Sequence, residues 1–148
     1  MWYEKSGDAF YKEQAQRFLN FATYMTYPNG VVAVGPTWPS SWFSDGYGDY
    51  IKHFHDALAA VPEWAPADRD HLLRSSSIVQ EIEYGRDKIS YRTFDERASE
   101  LLRVTEGPVR ITSGGVALKA GAVEYEPLEK GGILKISHEK NTVTIYKQ

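Results

Sequence analysis

Apolar positions change their period about halfway along the chain. Tyr11, Ala15, Phe18, Ala22 and Met25 recur at alternating steps of four and three, which predicts one apolar stripe on a helix from about Ala9 to Tyr24. Phe10 and Phe21 widen the stripe, and Glu13, Gln16, Arg17 and Asn20 supply its wet side. Asp8 precedes the first turn, where its carboxylate can accept from amides that have no partner inside the helix. Pro28-Asn29-Gly30 supplies turn chemistry that stops the pattern. A second helix is predicted from about Gly48 or Asp49 to Ala60, with Ile51, Phe54, Leu58 and Val61 as its stripe and Pro62 as its end. Asp49 falls in its first turn, where the helix dipole favours negative charge.

From Ser76 onward the period is two. Ile78, Gln80, Ile82 and Tyr84 are predicted to share one face of a strand, and Gly85-Arg86-Asp87-Lys88 turns the chain. Ile89, Tyr91 and Thr93 share a face of the returning strand. Short strands follow at Leu101–Val104, Val109–Ile111, Val116–Leu118 and Val123–Tyr125. Ile133–Ser137 and Val143–Tyr146 read as a last hairpin around Glu139-Lys140-Asn141. Gly114-Gly115 and Gly131-Gly132 lie between strands and read as turns, not as phosphate cradles. Helices first and strands second predict an α+β fold. Residues 1–66 form a helical hairpin with a long aromatic loop, and residues 67–148 form an antiparallel β-sandwich.

Composition narrows the function classes. The chain has 148 residues, 17 Lys plus Arg, 20 Asp plus Glu and a net charge of -3, which argues against nucleic-acid binding. There is no cysteine, so disulfides and thiolate metal sites or nucleophiles are excluded. No apolar run reaches the length that spans a bilayer, and the first residues have no apolar core of a signal peptide. Fifteen of the twenty aromatic residues lie in residues 1–64. Two helices and one loop offer them few neighbours; of packing on the β half, homo-oligomerisation and a missing N-terminal helical domain, one of the last two is expected.

Candidate chemistry concentrates in Trp38-Pro39-Ser40-Ser41-Trp42-Phe43-Ser44-Asp45-Gly46-Tyr47-Gly48-Asp49-Tyr50. A long loop of this kind is often functional. Trp38, Trp42 and Tyr47 can stack on the apolar faces of sugars, while Asp45 and Asp49 can accept from sugar hydroxyls. The alternative is that these aromatics fill core and the aspartates cap turns. Asp45 and Asp49 are also the candidates for a pair of catalytic carboxylates. His53 and His55 fall about 200° apart around a helix, so they do not share a metal. His71 and His138 stand alone and read as surface or strand-edge residues. Ser75-Ser76-Ser77 lacks a nucleophile elbow and an evident His/Asp partner. No metal site and no cofactor fingerprint is present.

Tyr3-Glu4-Lys5-Ser6-Gly7-Asp8-Ala9-Phe10-Tyr11, followed by an apolar helix, resembles the inter-helix signature of (α/α) toroid, six-hairpin glycosidases. Trp42-Phe43-Ser44-Asp45-Gly46-Tyr47-Gly48-Asp49-Tyr50 is similar to the last hairpin of such a toroid. Ser75 to Phe94, with Ile-Ser-Tyr-Arg-Thr-Phe-Asp at 89–95, resembles the β-sandwich that often follows it. The resemblance implies the C-terminal end of a glycoside-hydrolase-like, carbohydrate-active protein, not catalytic alone. Its parent enzyme would hydrolyse glycosides or degrade polysaccharides, with a saccharide ligand and an extracellular or periplasmic setting. Two rival readings are a stand-alone carbohydrate-binding module and a structural or oligomerisation domain.

Overall fold

The computed structural model describes residues 2–24 and 46–147, with side chains for 2–21 and 51–147. The fold is α+β: helices come first, followed by two antiparallel sheets that form a β-sandwich. The chain divides into two compact units, Met1–Val61 and Pro62–Gln148.

The first unit holds α1 (Trp2–Ser6), α2 (Ala9–Tyr24) and α3 (Gly46–Ala60). The short α1 is absent from the periodicity reading because five residues carry no repeat. The Ser6-Gly7-Asp8 stretch is a helix-to-helix turn. Gly7 sits at φ 69° and its amide donates to the Tyr3 carbonyl at 2.8 Å, closing α1. The Asp8 carboxylate then accepts from the Phe10 amide at 2.9 Å and caps α2. The capping chemistry therefore accounts for the Gly-Asp pair of the signature. Along α2 no residue from Ala9 to Phe21 is buried, and Phe18 and Phe21 are 72% and 61% exposed. Tyr11 packs edge-on against Phe10 at 5.5 Å and tilts against Trp2 at 6.4 Å. Ala57, Ala59 and Val61 are buried at the end of α3, and Pro62 terminates it.

The second unit opens with a 3-10 turn, Pro62–Trp64, and continues through nine strands. These are β1 (His71–Ser75), β2 (Val79–Tyr84), β3 (Lys88–Thr93), β4 (Ala98–Val104), β5 (Pro108–Ser113), β6 (Val116–Ala117), β7 (Val123–Pro127), β8 (Gly132–His138) and β9 (Thr142–Lys147). One sheet has the order β1-β4-β8-β7 and the other β2-β3-β9-β5-β6. Ile89, Ile145 and Ile111 stand in one row across β3, β9 and β5, and face Leu102, Val104, Leu134 and Ile136 of the other sheet. Each such side chain contributes about 1.5–3 kcal/mol by leaving water. This core belongs to the sandwich alone.

Three expectations change. β1 comes before Ser76, where the period of two is expected to begin, and a bulge between Leu72 and Arg74 breaks its alternation. In β2 a bulge between Val79 and Glu81 replaces the Ile78-Gln80-Ile82-Tyr84 face. Val79 and Ile82 turn to the core and Ile78 is exposed. β8 and β9 are no hairpin: Glu139-Lys140-Asn141 carries the chain from one sheet to the other, and each strand pairs elsewhere.

A buried ion pair closes the sandwich. Lys147 Nζ of β9 donates to Asp70 Oδ2 at 2.7 Å, with both side chains 6% exposed. The Thr105 amide and hydroxyl donate to Asp70 Oδ1 at 2.8 and 3.0 Å. Burial pushes the Asp70 carboxyl up, but the hydrogen bonds from Lys147 and Thr105 outweigh it and leave it below its ordinary value. One carboxylate thus ties the entry to β1, the β4–β5 connection and the last strand.

Candidate functional site

Trp38, Trp42 and Asp45 lie outside the described residues. Tyr47 and Asp49 fall in the first turn of α3, but their side chains are likewise outside them. The structure instead gathers polar groups at the end of the sandwich where β4 begins and β8 ends.

Glu100 is the hub. It is one step of two from Leu102 and so points into the core with it. The Ser75 hydroxyl donates to its Oε1 at 3.0 Å and the Tyr91 hydroxyl donates to its Oε2 at 2.9 Å. His138, one step of two beyond Ile136, brings Nε2 to 3.0 Å from the same Oε2, and both side chains are 0% exposed. That approach is a close charge contact, not an aligned hydrogen bond. His138 Nδ1 lies 3.1 Å from the Glu96 carbonyl, which can only accept, so Nδ1 carries a proton. Burial, followed by the Glu100 charge, pushes the Tyr91 phenol far up, so it serves as a donor only.

This placement corrects the reading of His138 as a surface or strand-edge residue. It also brings a serine, a carboxylate and a histidine together, though not as a nucleophilic triad. Ser75 bonds the carboxylate and not the imidazole, so the histidine is not placed to take its proton as a nucleophilic triad requires. With both Glu100 oxygens engaged and the side chain closed to solvent, the cluster locks β1, β3, β4 and β8 together. The signal was present in the alternation: Glu100-Leu102-Val104 and Leu134-Ile136-His138 each continue an inward face by one polar residue. Starting β4 at Leu101 and ending β8 at Ser137 cut off both.

His71 opens the edge strand β1, in keeping with the strand-edge expectation. Its Nε2 is buried without a partner, and burial followed by nearby Arg69 holds the imidazole below its ordinary value. His53 and His55 are exposed on α3. Among the described residues no group of His, Asp and Glu is arranged to hold a metal ion, and no helix is long and apolar enough to cross a membrane.

Above the cluster lies an open groove of about 1050 Å³ within the sandwich unit. It is lined by the start of β4, the end of β8 with the β8–β9 turn, the β5–β6 hairpin, and Leu118, Lys119, Gly121 and Ala122. The β7–β8 ladder stops at Val123↔Ile136, so Ser137 to Glu139 border the groove. Arg97, Lys119 and Lys140 reach it together with Glu139 and four serines. Compared with known protein families, curated proteins and solved structures, the chain matches none.

Proposed function

We propose that the chain is the closing piece of a larger carbohydrate-active protein of the (α/α) toroid kind, with its helices ending a helical layer and its sandwich serving as an accessory domain. The observation that carries this reading is the contrast between the two units. The sandwich has a complete core of its own, whereas α2 offers Phe10, Tyr11, Phe18 and Phe21 to solvent. Sixteen residues of helix are marginal without tertiary packing, so such a stripe calls for a partner surface. Further hairpins of a toroid would supply that surface, and the Tyr3–Tyr11 signature precedes a ring-closing helix in the proteins it resembles. In this reading the chain does not catalyse alone.

The test is the genomic DNA upstream of the Met1 codon together with the solution state of the chain. Further in-frame Tyr-x-x-Ser/Thr-Gly-Asp helices upstream, and self-association that Phe18→Glu with Phe21→Glu abolishes, are the expected results. A closed frame with a monomer that exposes no apolar surface to a hydrophobic dye overturns the reading. A closed frame with a discrete, α2-dependent oligomer moves the function to an assembly domain. The groove favours a second reading, a stand-alone carbohydrate-binding module, which a saccharide-responsive monomer with a closed frame would support.

A further inference from the structure

We infer that the groove between the β5–β6 hairpin and the β8–β9 turn is a binding site for a carboxylated saccharide. The inference rests on the carbohydrate reading above and names the ligand class, acidic oligosaccharide over neutral. Three observations converge. First, Arg97, Lys119 and Lys140 come to the groove from three separate segments, with Glu139 as the one carboxylate in the lining and Glu96 beside Lys140. Second, their charge is available. Arg97 meets Glu139 at 3.9 Å and Lys140 meets Glu96 at 3.5 Å, both in exposed, long contacts that a ligand carboxylate can replace at little cost. Lys119 has no ion-pair partner among the described residues. Third, Ser99 and Ser137 stand side by side in the β4–β8 register, exposed, with hydroxyls that bond no other described group.

The lining combines these polar groups with aliphatic side chains. Val116, 72% exposed, and Leu118 face the groove from the β6 side. A sugar ring presents both an apolar face and hydroxyls that donate and accept, which matches a lining that mixes serine hydroxyls with aliphatic carbon. A free inorganic anion would use the cations but neither the serine pair nor the aliphatic carbon. The groove's volume lies at the upper end of small-ligand sites, which suits an oligosaccharide better than a single ion.

Calorimetric titration of the full chain with a galacturonate trisaccharide, with neutral cellotriose and with sodium sulfate tests the assignment. The expected result is binding of the acidic trisaccharide that weakens with added salt, with cellotriose and sulfate each at least about tenfold weaker, as loss of a charge-assisted bond or of the ring contacts requires. Lys119→Ser should weaken the acidic ligand by about tenfold while leaving the circular dichroism spectrum unchanged, since Lys119 is exposed. Ser137→Val should weaken it without changing its salt dependence. Equal binding of cellotriose overturns the charge assignment but leaves the carbohydrate reading standing. Equal binding of sulfate, with no effect of Ser137→Val, overturns the saccharide assignment in favour of an adventitious ion only. Absence of any binding overturns the site, while the upstream reading frame and the α2-dependent association decide the toroid reading separately.

Discussion

Removing the Asp70 carboxylate should destabilise the sandwich more than any exposed charge substitution. In Asp70→Ala the Lys147 ammonium stays buried with its partner gone, and the Thr105 amide and hydroxyl lose their acceptor. Breaking a buried pair from one side costs about 3–5 kcal/mol, because the remaining charge is uncompensated. That is a large part of the roughly 5–15 kcal/mol that holds a typical domain folded. Urea unfolding followed by far-ultraviolet circular dichroism reads the effect. With a slope of about 1–3 kcal/mol/M, the midpoint should fall by at least about 1 M. Asp70→Leu with Lys147→Met should recover most of the loss, since no charge is then left in the interior. The pH dependence has a definite sign. The folded carboxyl titrates below its ordinary value, so its contribution is complete above the unfolded pKa of about 3.9 and is lost as pH falls through the folded value. Wild type should therefore lose stability below about pH 4 more steeply than Asp70→Asn. A midpoint shift under about 0.3 M, or a double variant no better than the single one, would refute the reasoning.

Other consequences follow from single contacts. Glu100→Ala strands His138, Tyr91 and Ser75 in the interior and should cost about 3–5 kcal/mol by the same urea measurement. Glu100→Gln keeps the volume and one acceptor oxygen, so it should cost less than Glu100→Ala; equal losses would show that packing alone matters there. Gly131→Ala places a methyl group against the carbonyl oxygens of Val104 and Thr105 at φ 64°. The left-handed backbone alone costs about 1–2 kcal/mol, so the thermal midpoint should drop by several degrees, and an unchanged midpoint would contradict the observed turn. Asp8→Ala removes the α2 cap and should cost the helix about 1 kcal/mol, read as lower helicity by circular dichroism, whereas Asp8→Asn should preserve it.

The candidate site was legible only in part. Alternation extended by one residue at either end would have turned Glu100 and His138 inward. It would not have placed them beside each other, because that depends on β4 pairing with β8 across the intervening sequence, with Ala98 opposite His138. The Ser6-Gly7-Asp8 stretch was legible as a helix start, and its hydrogen bonds are local enough for the reading to hold. The Ile78 face failed for a different reason. One extra residue in β2 inverts every side chain on one side of it, and a bulge leaves no mark in composition.

Read without coordinates, the chain already determined its α-then-β order, the span of α2 from its Asp8 cap, the inward face of β3 and the turns at the paired glycines. Each rests on interactions within a few residues, where period and capping leave one outcome. The division of the strands between two sheets, the passage of the β8–β9 turn across the sandwich, the Glu100–His138 contact and the Asp70–Lys147 pair were decided only in three dimensions. The last joins residues 77 apart, and a period of two states which face a side chain occupies without naming the strand that will lie opposite.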